Sequence, residues 1–563
     1  MSESRLALGA AAVIGLALAP SAHACGGFFC SAAQPVDQAA EEIVFDVNTE
    51  ANRVTMHVKI EYTGPSEQFA WVVPVAQKPE LEVGSNAMFA ALSTWRAQWL
   101  LTRAFGECDV LTTSSGYSSS SSGGGGGGGG VSVVSSGVVG PYETVVLRAT
   151  DSGELLDWLV DNGFDLPAGT DEALAPYVAD GQYFVALRLA KDRDTGDLQP
   201  LVLSWPGTGM SIPIQLTSLA ATPDMGLRVY VLGEHRAVPQ SYLHLVLNEL
   251  AVDWWTGGAN IDAVIARAAD EAGGQGFFTD AAGDPGALAP QVWEQQWATL
   301  PEAVAATTDP AAAILTVAGS GLPLDDDTLG VLGDALGLSA TSVGELDLVD
   351  VLQCLIPGYA YGSTTGGTQA CYPDQLASIP FDPVALAADL DTRVLVPRER
   401  AAEMFTRAPV MTRMTSSLSP AEMTVDPTFV FNPDMPMVDV LRLAEEAYSC
   451  AGDQQNVFDA PRLLTVPDGR KVSLPSINQL GELGLSEIEW LESQGLTTPT
   501  NARIERTGPS GPPEVLQDNT ALLAQALDTA VEGCGCRTGG GASGAGLLLA
   551  AGIVARRRRQ PSR

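Results

Sequence analysis

Histidine is the side chain best suited to proton transfer and metal binding near neutral pH, and this chain of 563 residues has four. His23 lies in an N-terminal leader, and His57, His235 and His244 show no HExxH motif or other zinc-ligand spacing. Gly-x-Ser-x-Gly, Ser-x-x-Lys and Cys-x-x-Cys motifs do not occur, and GxGxxG occurs only where no strand precedes it. The sequence therefore indicates no catalytic residue, no metal ligand and no cofactor.

Carboxylates are the second chemical resource of the chain, which has 67 acidic residues. A glycosidase needs only two carboxylates, so an extracellular hydrolase remains an alternative without a particular pair. The segment 192–197 has Asp192, Asp194 and Asp197 at a spacing that suggests calcium. It departs from an EF-hand, because Asp197 replaces the turn glycine and Leu203 the bidentate glutamate. A calcium-dependent adhesion module is therefore a further alternative.

The N-terminus has the pattern of a secretory signal peptide. Arg5 precedes an apolar run, and Ala22-His23-Ala24 has the small-x-small pattern that signal peptidase cleaves. We predict a signal peptide over residues 1–24 with cleavage between Ala24 and Cys25. A lipoprotein signal would also place a cysteine first, but it normally has a leucine-like residue where this chain has Ala22.

The C-terminal residues 534–563 have three parts: a cysteine pair, a glycine-rich apolar stretch and a block of arginines. As a helix, the stretch 539–555 would span about 25 Å, close to the hydrocarbon thickness of a bilayer, and the arginines should stay cytoplasmic. A buried C-terminal helix with a basic tail is the alternative. The arrangement resembles the myxobacterial C-terminal sorting signal, which implies a sorting protease acting near one of the cysteines and retention at the cell surface. The residues concerned are Cys534, Cys536, Arg556, Arg557, Arg558 and Arg559.

Export places the remaining six cysteines in an oxidising compartment, where disulfides are expected. They are Cys25, Cys30, Cys108, Cys354, Cys371 and Cys450. Six cysteines allow fifteen pairings. Proximity favours Cys25 with Cys30 and Cys354 with Cys371, which leaves Cys108 for Cys450.

The composition indicates a folded, acidic ectodomain. The chain is 45% hydrophobic and 17% charged, with a formal net charge of -37, so it can bury sizeable cores. A field of that sign repels phosphate, which argues against nucleic acid or anionic lipid as partners. Contact with the membrane is expected through the C-terminal segment alone, and the extracellular ligand is unknown.

Periodicity predicts strands at Ile43–Val47 and Arg53–Tyr62, and the strict alternation of the second strand places His57 on a solvated face. A helix is predicted from Ser85 or Asn86 to Phe105. Four strands in a meander are predicted at Tyr183–Ala190, Leu198–Trp205, Ser211–Thr217 and Leu227–Gly233. Further helices are predicted at Asp151–Phe164, Ile261–Ala272, Pro290–Leu300, Thr328–Leu338 and Glu345–Leu355.

These elements indicate an α+β fold with mixed, mainly antiparallel sheet and interspersed helices in the N-terminal half, a more helical C-terminal half and disulfide stabilisation. The predicted segments are a β-rich region over 25–280, a more helical region over 281–450 and a C-terminal extension over 451–533. Within the first, the serine- and glycine-rich tract 112–130 cannot bury apolar surface, and we expect a disordered loop there.

Several separated motifs resemble the family named domain of unknown function 2330. They are the stretches 24–30, 69–75, 140–145, 212–217, 407–413 and 419–427, which together cover about Cys25 to Val440. The family carries no established activity, ligand or catalytic residue. The sequence therefore predicts an uncharacterised exported protein at the cell envelope or surface, with a noncatalytic binding or structural role.

Overall fold

The computed structural model describes residues 37–63, 70–105, 132–162, 166, 169–189, 198–219, 221–338, 348–356, 376–450 and 456–533. These residues form an α+β structure, as the sequence predicted. Twenty-one strands are described: β1 (Asp37–Asn48), β2 (Arg53–Thr63), β3 (Ala70–Val75), β4 (Glu80–Val83), β5 (Gln98–Ala104), β6 (Ser132–Val139), β7 (Tyr142–Arg148), β8 (Tyr183–Leu189), β9 (Leu201–Pro206), β10 (Met210–Ser211), β11 (Ala221–Gly233), β12 (Ala237–Pro239), β13 (Leu243–Leu247), β14 (Gly276–Gly283), β15 (Val410–Leu418), β16 (Thr428–Phe431), β17 (Leu441–Tyr448), β18 (Arg462–Thr465), β19 (Lys471–Leu474), β20 (Asn501–Arg506) and β21 (Glu514–Asp518).

Most of the α-helices lie between residues 214 and 407. The α-helices are Asn86–Thr94, Ser152–Asp161, Thr170–Ala179, Ile214–Thr217, Ile261–Glu271, Ala289–Val292, Leu300–Ala305, Pro310–Gly319, Asp326–Leu336, Leu348–Leu355, Pro383–Leu390, Val396–Arg407, Ile477–Leu483, Glu487–Ser493 and Thr520–Gly533. Short 3-10 helices lie at Glu249–Ala251, Trp254–Thr256, Gly286–Leu288, Gln295–Thr299 and Pro420–Glu422, and a π-helical turn lies at Asp391–Leu395. In the part of the chain that the structure describes, no helix is both long and apolar enough to cross a bilayer. The predicted span 539–555 lies outside that part.

A ten-stranded sheet in the order β21-β20-β13-β14-β15-β11-β1-β2-β9-β4 forms the centre of the molecule. The pairs β1–β11 and β13–β14 are parallel, and the other pairs of this sheet are antiparallel. Its strands come from all three predicted segments, 25–280, 281–450 and 451–533, so distant parts of the chain share one hydrogen-bonded ladder. The boundaries between those segments stay predictions.

Three smaller sheets pack around the large one. Their orders are β3-β8-β7-β6, β19-β18-β17-β5 and β10-β16-β12. Because β8 and β9 lie in different sheets, the predicted meander is wrong. The predicted strand Ser211–Thr217 is also wrong, since only the first of its residues is in a strand and Ile214–Thr217 is a helical turn.

The predicted helix from Asn86 to Phe105 ends early, at Thr94, and its second half is β5. The side chain of Trp99 points inward from β5. Trp99 packs edge-on against Trp254 at 5.1 Å between ring centroids and stacks on Phe278 at 6.5 Å. These partners lie more than 150 residues away, so tertiary packing overrides the local helical pattern.

Local capping interactions mark the starts of several helices. The side chain of Asp151 accepts a hydrogen bond from the backbone of Glu154 at the start of its helix. Asp325 caps the helix Asp326–Leu336 in the same way, and Ser419 with Glu422 forms a capping box. Such contacts connect residues three apart, which is why sequence alone can indicate them.

The central sheet is buried on both faces. Ile43 and Phe45 of β1 face a core that includes Trp71, whereas Val44 faces helices through residues such as Phe89 and Phe405. The helices Asn86–Thr94 and Val396–Arg407 cover this second face. A strand with alternating polarity can therefore be buried on both sides, which decides the position of His57.

Candidate functional site

Two of the predicted disulfide cysteines lie within the described residues, and both Cys354 and Cys450 are disulfide-bonded. Cys25, Cys30, Cys108 and Cys371 lie outside the described residues, so the pairing and the disulfide stabilisation of the fold stay predictions. The cleavage-site residue Ala24 and the tail residues Cys534, Cys536 and Arg556 to Arg559 also lie outside the described part.

The expectation that His57 faces solvent is wrong. Its side chain is buried, with 6% exposed, and neither ring nitrogen has a hydrogen-bond partner among the described residues. Burial and, to a lesser extent, the nearby Arg400 lower its pKa to about 4. His57 is therefore neutral at physiological pH and functions as part of the packing between β2 and the helix Val396–Arg407.

His244 lies at the centre of a buried polar cluster on the opposite face of the sheet. Its Nδ1 is 3.0 Å from a carboxylate oxygen of Glu505, and its Nε2 is 3.2 Å from the hydroxyl of Thr279. Arg236 Nη2 approaches the same Nε2 at 3.3 Å and donates to Thr279. The adjacent strands β20, β13 and β14 position these side chains by register, because His244 is opposite Glu505 in the ladder.

The order carboxylate, imidazole, hydroxyl in this cluster is the order that activates a hydroxyl nucleophile in hydrolases. Thr279, however, is 3% exposed, and Arg236 shares both Thr279 and the imidazole. Burial lowers the pKa of His244, although the hydrogen bond to Glu505 opposes this shift. In the described structure the cluster joins strands from distant parts of the chain.

Glu446 is a second buried hub, with 0% of its surface exposed. Its carboxylate accepts hydrogen bonds from Arg103 at 3.1 Å, Arg462 at 2.9 Å, Trp255 at 3.3 Å and Tyr448 at 3.0 Å. A buried charge is tolerated when its oxygens are fully paired in this way. The hub fastens β5, β17 and β18 to the turn Trp254–Thr256.

Asp327 is a buried carboxylate with a raised pKa, a property that suits a general acid. Its oxygens accept hydrogen bonds from the backbone of Asn86 at 2.8 Å and from the Asn86 amide at 2.7 Å. Burial and, to a lesser extent, the neighbouring Asp325 raise its pKa to about 6. Gln199, whose amide donates to the carbonyl of Arg393 at 2.8 Å, completes this junction between the sheet and the helices.

Two small cavities flank Trp71, with volumes of about 40 Å³ and 10 Å³. Asn86, Gln199 and Tyr142 line the larger one, and Pro213 lines the smaller one. The larger volume holds a few water molecules, whereas sites for small organic ligands occupy about 300–1,000 Å³. These two cavities therefore do not accommodate a substrate of the size of a sugar or a peptide residue.

A further acidic run, Asp325-Asp326-Asp327, lies at the start of a helix within the described ranges. Asp325 caps this helix and pairs with Arg398. Among the described residues, no group of three His, Cys, Asp or Glu side chains is arranged to hold a metal ion. Asp192, Asp194 and Asp197 lie outside those residues, so the calcium prediction there is untested.

β21 is one terminal strand of the ten-stranded sheet, and β4 is the other. All five residues of β21 are exposed, including Val515 at 47% and Leu516 at 41%. It pairs antiparallel with β20 on one side, and no described strand pairs with it on the other. A strand edge in this state presents backbone donors and acceptors to another chain.

Sequence reasoning did not single out Thr279, Glu446 or Glu505. Glu446 and Glu505 occupy inward-facing positions of their strands. An acidic residue at an inward-facing position could have been recognised only if the register of the strands had been known. The register itself depends on partners 343 residues away for Glu446 and 261 residues away for Glu505. The single sequence does not contain that register.

Comparison with known proteins finds a family model that matches part of the chain. Residues 19–284 match the model of the family described as "Uncharacterized protein conserved in bacteria (DUF2330)". This supports the resemblance drawn from the motifs up to residue 217, whereas the motifs at 407–413 and 419–427 lie beyond the matched range. No curated protein and no solved structure shows significant similarity to the chain.

Proposed function

We propose that this bacterial protein is an exported ectodomain, anchored to the cell envelope or surface through its C-terminus, with a noncatalytic binding or structural role. The leader 1–24 and the tripartite tail 534–563 support export and anchoring. The matched family has no described activity, so the role is argued from the ionisable side chains and from the open sheet edge.

The observation that supports the noncatalytic role is that the buried ionisable groups make structural contacts. Glu446 receives four hydrogen-bond donors from four different parts of the fold. Glu505 with His244, and Asp327 with Asn86, likewise join segments hundreds of residues apart. Groups that are saturated by structural contacts stabilise a durable scaffold, which suits a protein exposed outside the cell.

The hydrolase alternative has one supporting observation, the pair Asp325 and Asp327. A carboxyl group with a pKa near 6 is suited to act as a general acid. Against this, Asp325 is held by Arg398, and the neighbouring cavity is about 40 Å³. Hydrolysis of cell-wall polysaccharide that is lost in Asp327→Asn but retained in Asp326→Asn would favour the alternative.

Anchoring is tested by deleting residues 539–563 in the producing bacterium and assaying cell and medium fractions with an antibody. We expect the protein to move from washed cells to the medium, because the apolar stretch and the arginine block are then absent. Deleting the tract 112–130 provides a control that should leave the protein on cells. Unchanged retention of the 539–563 deletion would contradict tail anchoring.

A further inference from the structure

We propose that the edge strand β21 is a docking site for an extended, cationic segment of a partner protein, which adds to the ten-stranded sheet as an eleventh strand. This inference deepens the proposed binding role. It rests on the exposure, pairing and charge of Glu514–Asp518, and its test does not depend on anchoring.

The first argument is the chemistry of the edge itself. One side of β21 is paired with β20, and the other carries backbone N–H and C=O groups without a described strand partner. Strand addition uses these groups for affinity and the neighbouring side chains for selectivity. The ligand that fits them is therefore a polypeptide in extended conformation.

The second argument comes from the apolar side chains. Leu516 is the extra residue at an irregularity, since Gln517 pairs with Ile504 and Val515 pairs with Glu505. Leu516 is 41% exposed and Val515 is 47% exposed. The apolar residues of β21 thus provide contact area to an incoming strand.

The third argument is charge, and it selects the occupant. In an antiparallel pair of two β21 strands centred on Leu516, Glu514 would lie opposite Asp518 twice. Like charges directly opposite each other destabilise a strand pair, and two copies with a net charge of -37 repel each other. Glu514 pairs with Arg506 at 2.7 Å, but both side chains are exposed, and a surface ion pair contributes little to stability. A strand with lysine or arginine near its ends can therefore still meet these carboxylates favourably, so a cationic partner is preferred over a second copy.

The location of the edge agrees with this role. A single residue, Asn519, separates β21 from the helix Thr520–Gly533, which ends immediately before the predicted processing site at Cys534. Fourteen helical residues span about 21 Å. The edge therefore lies close in the chain to the predicted anchor, where other envelope proteins are accessible.

The test uses the full chain in a mild detergent and a capped hexapeptide that alternates lysine and valine. Fluorescence anisotropy measures binding of the labelled peptide, and hydrogen–deuterium exchange measures protection of the amides of 514–518. We expect saturable binding with protection confined to β21 and its neighbour. A peptide with glutamate in place of lysine should bind at least tenfold more weakly.

The matched variants are Leu516→Lys, which places a charge on the edge, and Leu483→Lys on the helix Ile477–Leu483, where the leucine is 60% exposed. We expect Leu516→Lys to weaken binding about tenfold and Leu483→Lys to leave it unchanged. Equal binding by both variants, or no protection of 514–518 up to the solubility limit of the peptide, would overturn the proposal. Protection that rises with protein concentration without peptide would assign the edge to a second copy instead.

Discussion

The imidazole of His244 and the carboxylate of Glu505 lie 3.0 Å apart although 261 residues separate them in the chain. Both are buried, and Arg503 donates to the other carboxylate oxygen at 2.8 Å. Burial alone would raise the pKa of Glu505, but the hydrogen bonds from His244 and Arg503 outweigh it and lower the pKa. The pair connects the C-terminal extension to the central sheet.

Removing the carboxylate from this pair should destabilise the protein. We expect Glu505→Ala to lower the free energy of unfolding by about 2–5 kcal/mol, because His244 and Arg503 lose a buried partner. Urea denaturation followed by circular dichroism measures the change. As a control, Glu514→Ala removes an exposed ion pair with Arg506 and should cost no more than about 1 kcal/mol. Equal losses in the two variants would argue against the buried pair.

The hub at Glu446 gives a prediction with a neighbouring control. Glu446→Ala removes the 2.9 Å partner of the buried Arg462, which keeps its ion pair with Glu487 at 2.7 Å. Because Arg103, Trp255 and Tyr448 also lose their acceptor, the expected loss in the free energy of unfolding is about 2–5 kcal/mol. The adjacent Glu445 points outward from β17 and is exposed. Glu445→Ala should change stability by no more than about 0.5 kcal/mol in the same denaturation experiment. A small effect of Glu446→Ala would show that the hub contributes little.

Because burial lowers the pKa of His57, we predict that the protein loses stability in acid. This pKa is about 4 in the folded chain and near 6.5 in the unfolded chain. Between these values only the unfolded chain binds the proton, so the free energy of unfolding falls as the pH falls from 6.5 to 4. Relative to His57→Leu, the wild-type protein should lose about 3 kcal/mol over this range. Thermal unfolding at several pH values measures the difference.

The control for His57 is the exposed His235, for which His235→Leu should leave the pH dependence unchanged. If wild type and His57→Leu showed parallel stability curves between pH 7 and 4, the buried imidazole would not be the group responsible.

For Asp327 we predict the opposite pH dependence of stability. Its folded pKa of about 6 lies above the unfolded value of 3.8, so its stabilising contribution is present below pH 3.8 and is lost as the pH rises through 6. Relative to Asp327→Asn, the wild-type protein should therefore gain about 3 kcal/mol when the pH is lowered from 7 to 4. The exposed neighbour Asp326 supplies the control variant Asp326→Asn. A wild-type curve that runs parallel to that of Asp327→Asn would refute the raised pKa.

Signals that act over a few residues were sufficient to predict part of this fold. The strand Arg53–Thr63 and the helix Ile261–Glu271 follow from periodicity. The caps at Asp325 and Ser419 are hydrogen bonds between residues three apart, which a sequence can indicate. The family motifs up to residue 217 were also recognisable without a structure. The export and sorting signals are sequence features of the same local kind, and they remain predictions.

Contacts between distant segments decided the remainder. Trp99 lies in a strand because Trp254 and Phe278 pack around it, and His57 is buried because helices cover its face of the central sheet. The partners of Glu446 and Glu505 are set by strand register across hundreds of residues. Burial, pKa and the open edge at β21 depend on which segments pack together, and that is a property of the folded chain as a whole and not of any short stretch of sequence.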